Sequence, residues 1–123
     1  MALRHALAAA TLALCATAAA AQAGADAVRG RQLYESRCIA CHSIDAGRVG
    51  PAHRGVVGRN AGSVADYDYS PAVKASAVIW SARTLDRWLA DPEKTIPGQK
   101  MNYTVPEATD RADIIAWLAK NPR

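Results

Sequence analysis

Apolar residues fall into one long block and three short periodic groups along this 123-residue chain. The block is Ala6 to Ala21, mostly alanine and broken only by threonines, with Arg4 and His5 before it and the small-x-small triplet "AQA" at its end. That layout reads as a secretory signal peptide over residues 1–23, cut after Ala23, with Ala21 as a second position. An uncleaved anchor is the competing reading, but sixteen alanine-dominated residues fall short of the roughly 20 strongly apolar ones a spanning helix needs. Leu14 stands before Cys15 where lipoprotein processing would want a small residue.

Downstream, the spacing turns helical. Asp26 is placed to cap a helix running to about Cys38, and Ser70 followed by Pro71 starts a short second one. "SARTLDRWLADP" has Ser81 as cap, Leu85, Trp88 and Leu89 at helical spacing, and Pro92 as the stop. "TDRADIIAWLAKNP" predicts the last helix, with Ile114, Ile115, Trp117 and Leu118 on one broad apolar face. The Gly- and Pro-rich stretches "DAGRVGPAHRGVVGRNAG" and "EKTIPGQKMNYTVPE" read as loops. No strand-like alternation of useful length occurs, so the expected fold class is all-α.

Taking 23 residues from 123 leaves a mature domain of 100, residues 24–123. At that size a core of its own is marginal. Loss of Arg4 lowers the formal charge from +4 to +3, too little for a nucleic-acid binder and better suited to an acidic protein surface. The domain has no Phe, two long loops, and apolar side chains concentrated on short helices. A large rigid apolar body is missing from its middle, and a porphyrin would supply one.

The chemistry sits in "SRCIACHSI", residues 36 to 44. With Cys15 removed, Cys38 and Cys41 are the only thiols, and His42 follows at once. Two thiols on one helical turn can each add to a haem vinyl group while the adjacent histidine is held under the iron as proximal ligand. The other uses of such a pair fit less well. A structural zinc needs a fourth ligand, with only His53 on offer; a thioredoxin-like dithiol wants a strand before it; a bare disulfide closes too small a loop to staple much. For the other face of the iron, Met101 is the one methionine left after Met1, in a polar loop that Pro97 and Gly98 can turn sharply. His53 is the competing distal ligand. A His/Met pair raises the reduction potential relative to two histidines.

These segments together, "GRQLYESRCIACH", "GPAHRGVVGR", "YDYSPAVK", "IPGQKM" and "RADIIAWL", resemble the class I, mitochondrial-type cytochromes c and their soluble bacterial relatives over nearly the whole mature chain. The resemblance implies a small all-α cytochrome c fold around one covalent haem c. It also implies roles. Gly30 and Tyr34 match a first-helix pair packed across the last helix near Trp117. Pro51 matches the proline whose carbonyl accepts the proximal imidazole proton. Arg59, Tyr69 and Trp80 match residues that hold the haem propionates, Met101 the distal ligand, and Tyr103 the aromatic beside it. The chain also departs from the pattern. Trp88 stands where a tyrosine hydroxyl would reach the methionine sulfur, His53 replaces an apolar residue, and the loop after His42 is short. Glu93 interrupts the lysines at the haem edge, leaving Arg37, Lys94 and Lys100 as the expected docking cations.

The function these readings predict is a soluble, monomeric periplasmic carrier of single electrons, not an enzyme, meeting redox partners with acidic docking surfaces. A haem-bearing subunit of a periplasmic dehydrogenase, or a haem that binds a small ligand or peroxide, is the alternative. A catalytic haem would need an open sixth position and a distal acid or base, and the Met101 segment offers no such group.

Overall fold

The computed structural model describes residues 24–123. The expected signal peptide, with Cys15, lies outside the described residues. Among the described residues five helices follow in order: α1 (Ala27–Arg37), α2 (Pro71–Lys74), α3 (Ala82–Ala90), α4 (Pro92–Thr95) and α5 (Ala108–Ala119). Among the described residues no strand forms; the nearest approach to one is an isolated antiparallel bridge between Asn60 and Ile79.

The caps are those the sequence predicts. The Asp26 carboxylate accepts from the backbone N–H groups of Val28 and Arg29, and Ser70 Oγ accepts from Val73 N–H. Ser81 and Thr84 form a reciprocal capping box at the start of α3, satisfying two otherwise orphaned amides. Pro92 ends α3 as predicted but also opens α4, because Asp91 caps the new helix through Lys94 N–H and proline is well placed at a first helical position. The segment after Pro92 is therefore not wholly a loop.

Helix α1 crosses α5, and the contact is closer than side chains would allow. A Cβ on Gly30 would collide with the carbonyl of Asp113. Here the last helix differs from its predicted face. Ile114, Ile115 and Leu118 are buried as expected, whereas Trp117 is only partly covered, with the Arg31 guanidinium 5.5 Å from its ring centre. Asp110 and Asp113 are buried beside the isoleucines, which the apolar pattern does not reveal. Arg29 explains them: it bonds to Asp110 and, at 2.6 Å, to Asp113, while Asp113 also accepts the Asp26 amide at 2.8 Å. Arg37 reaches Asp110 at 3.1 Å. A buried carboxylate is tolerable only when paired and hydrogen-bonded, and both are.

Leu85 and Leu89 of α3 and Ile96 after α4 complete the inner face, and the Val105 amide is tied to the Leu89 carbonyl at 2.7 Å. These elements touch at their crossings but leave a space between them. They wall a cavity of about 550 Å³ that runs between the Cys38–His42 turn and the Met101 loop.

Candidate functional site

The cavity collects nearly every residue singled out from the sequence. Cys38, Cys41, His42, Pro51, His53, Arg59, Tyr69, Trp80, Trp88, Met101 and Tyr103 all line it, as do Arg37 and Lys100; Lys94 and Glu93 do not.

Its first wall is the turn at the end of α1. Cys38 caps that helix, and the amides of Cys41 and His42 both bond back to the Cys38 carbonyl, so the two thiols and the imidazole issue from one turn. Both cysteines are free thiols. Burial pushes the Cys38 thiol up to about 11, offset in part by Arg37. It is therefore a neutral thiol at neutral pH, unlike the depressed-pKa thiolate of a dithiol redox pair.

His42 is held by its surroundings. Its Nδ1 lies 2.8 Å from the Pro51 carbonyl oxygen, which can only accept, so Nδ1 carries the proton and Nε2 presents a lone pair. Burial lowers its pKa, against a smaller opposing effect of the Pro51 bond, which keeps the ring neutral. Gly50 sits so near that a Cβ there would run into the His42 ring. His53 is not the surface histidine expected of a loop: its ring stacks on His42 at 4.0 Å and 19°, and its Nδ1 meets the Tyr34 hydroxyl at 2.9 Å. It thus lies beside the proximal candidate rather than across the cavity from it, which leaves Met101 as the distal candidate.

The interior end carries donors. Arg59 is 8% exposed; its two terminal nitrogens donate to the carbonyls of Arg54 and Ala52, but the buried Nε has no partner. An unpaired charged donor in a cavity wall calls for an anion. Burial lowers the Arg59 pKa, with Tyr69 opposing. Tyr69 accepts the Val64 amide at 3.1 Å, which leaves its own O–H proton available. Trp80 is buried, with its ring centre 5.3 Å from that of Trp88.

Three features escaped the sequence reading. Gln99, 7% exposed, builds the Met101 loop: its Oε1 accepts the amides of Met101 at 2.7 Å and Asn102 at 3.1 Å, and its Nε2 donates to Glu93 and to Asn102 Oδ1. Glu93, which looked like a mere interruption of the lysines, also accepts the Gly98 amide at 2.9 Å. Tyr67 spans the cavity mouth by donating to the Val49 carbonyl at 2.7 Å, and Lys100 folds over its ring and onto the Asp68 carbonyl. No periodicity marks such loop contacts; the "YDY" and "PGQKM" runs were the only hints.

The residues present fit a haem. Two thiols, an imidazole lone pair, a thioether and an unpaired guanidinium donor share one cavity, whose volume lies within the roughly 300–1,000 Å³ usual for ligand sites.

Comparison with known proteins agrees. The family model described as cytochrome c matches residues 27–122. The chain is 42% identical over 96 residues to cytochrome c 2.1 of Caenorhabditis briggsae, covering 76% of this chain and 86% of that protein. To cytochrome c2 of Rhodopila globiformis it is 43% identical over 96 residues, covering 76% and 91%. The solved structure of cytochrome cH from Methylobacterium extorquens superposes with a TM-score of 0.73 at 41% identity, covering 77% of this chain and 98% of that one. The chain belongs to the cytochrome c family, and it is an electron carrier with a covalently attached c-type haem.

Proposed function

We propose that Cys38 and Cys41 form the two thioethers, that His42 is the proximal ligand oriented by the Pro51 carbonyl, and that Met101 is the distal ligand. Arg59, Tyr69 and Trp80 then receive the propionates, and Trp88 packs beside the methionine. The observation that carries this reading is the His42–Pro51 bond, which bares Nε2 in a cavity that both thiols and Met101 also line. When bound there, the haem iron would supply a one-electron couple. The protein's part would be to hold the group through His42 and Met101 and to shield it from water.

The chain acts in the periplasm as a soluble carrier, not an enzyme, after cleavage of the segment before Gly24. Docking to acidic partners falls chiefly to Lys94, whose side chain is 87% exposed beside Asp91, and to exposed Lys100, although its Nζ rests on the Asp68 carbonyl; Arg37 is less exposed and pairs with buried Asp110. Long-range steering of this kind is screened over about 10 Å at 0.1 M salt.

A visible spectrum of the native protein tests the ligand set. The oxidised protein should show a sulfur-to-iron charge-transfer band that Met101→Ala abolishes, and the reduced protein should bind little carbon monoxide. Rapid carbon monoxide binding, or a spectrum of two nitrogen ligands, would overturn the assignment.

A further inference from the structure

His53 and Tyr34 make a polar pair where the family pattern has an apolar residue at position 53, and nothing in the electron-carrier reading uses it. The His53 backbone is registered to the proximal turn: its amide donates to the Ser43 carbonyl at 2.9 Å, and the next amide, Arg54, donates to Ile44 at 2.8 Å. Its side chain is registered as well. One face lies on His42 at 4.0 Å, its Nδ1 is 2.9 Å from the Tyr34 hydroxyl, and the Tyr34 ring stands edge-on to it at 5.6 Å and 62°. Tyr34 is 3% exposed and anchored in α1 opposite α5, so the far end of this chain of contacts is rigid.

We propose that His53, braced by Tyr34, is a positioning residue that fixes the plane of the proximal His42 imidazole. The inference rests on His42 being the iron ligand. A single hydrogen bond from Nδ1 to the Pro51 carbonyl sets the tautomer but resists rotation about the N–H···O axis only weakly. Rotation about the His42 Cβ–Cγ bond tilts the ring, and a stacked ring at 4.0 Å and 19° opposes that tilt. Gly50 contributes on the ring edge by close approach of its backbone. A branched aliphatic side chain at 53 could fill the volume, but it would present no flat face and would leave the buried Tyr34 hydroxyl without its partner. The flat face of His53 keeps His42 from turning, and the Tyr34 hydroxyl adds a smaller part by keeping His53 from sliding. Partners that orient a ligating histidine tune the metal it holds.

The test uses the haem-loaded protein and reads the orientation of the ring rather than electron-transfer rate. In the oxidised wild type, His42 ring protons should show large paramagnetic shifts; ordinary shifts would remove His42 as ligand and the proposal with it. In His53→Leu, the pattern of haem-methyl proton shifts, which follows the imidazole plane, should rearrange. In the reduced protein, exchange of the His42 Nδ1 proton with solvent should quicken by about tenfold or more. Tyr34→Phe should move both readouts in the same direction by less, and His53→Phe, which keeps a flat ring, should recover most of the wild-type shift pattern. Because His53→Leu orphans the Tyr34 hydroxyl, the double variant with Tyr34→Phe is made alongside it and carries the test if the single variant does not fold. A wild-type shift pattern and exchange rate in both His53→Leu and the double variant would overturn the proposal while leaving His42 as ligand. So would a His53→Phe protein that behaves like His53→Leu.

Discussion

Truncating Gln99 to alanine should loosen the Met101 loop without disturbing the helices. The side chain's Oε1 is the acceptor for two consecutive loop amides, Met101 and Asn102, and the Asn102 backbone is in the left-handed region at φ 48°, where a non-glycine residue stays only if its surroundings hold it. Gln99→Ala removes that acceptor and with it both hydrogen bonds. At a net 1 kcal/mol or so for each neutral hydrogen bond, the closed loop loses about 2 kcal/mol. The Nε2 bonds to Glu93 and to Asn102 Oδ1 add nothing to that figure, because both acceptors belong to exposed residues and turn to water once the donor is gone. With a tenfold change for every 1.4 kcal/mol, the open-loop population should rise roughly thirtyfold. Added imidazole binds ferric iron only when the thioether has left, so its apparent affinity should rise by the same factor. Hydrogen exchange at the Met101 and Asn102 amides should accelerate in parallel while that of the α1 and α5 amides stays put. Imidazole affinity within threefold of wild type, with unchanged loop exchange, would refute the claim that Gln99 holds the distal loop closed.

Two further outcomes concern the α1–α5 crossing. Gly30→Ala should destabilise the protein by about 2 kcal/mol net, seen in urea unfolding, because the new Cβ meets the Asp113 backbone and outweighs the roughly 1 kcal/mol alanine gains in helix propensity; a stabilised variant would show that the helices part at no cost. Burial pushes the Asp113 carboxyl up, but the Asp26 amide and Arg29 together hold it below its ordinary value, so its contribution is present above about pH 4 and is lost as pH falls through the depressed folded value. Acid unfolding should be steeper below pH 4 in the wild type than in Asp113→Asn, and equal slopes would exclude that linkage.

Much of the molecule was decided locally and could be read from the chain alone. Asp26, Ser70 and Ser81 cap helices because a side-chain oxygen two or three residues ahead of an unpaired amide needs no tertiary partner. The thiols and imidazole of residues 38–42 share one turn for the same reason, and the missing core followed from composition. Chain contacts over long separations were not legible. Asp110 and Asp113 look like the polar side of α5 until Arg29, 81 and 84 residues earlier, arrives to pair them. His53 looks like a loop histidine until the fold lays it on His42, with Tyr34, 19 residues before it, at its back. Gln99 reads as one polar residue among several, and only the turned loop aims its amide at four partners at once. In each case the side chain's polarity is evident from its type, but burying it is affordable only where a distant donor or acceptor meets it, and that meeting is a property of the closed fold.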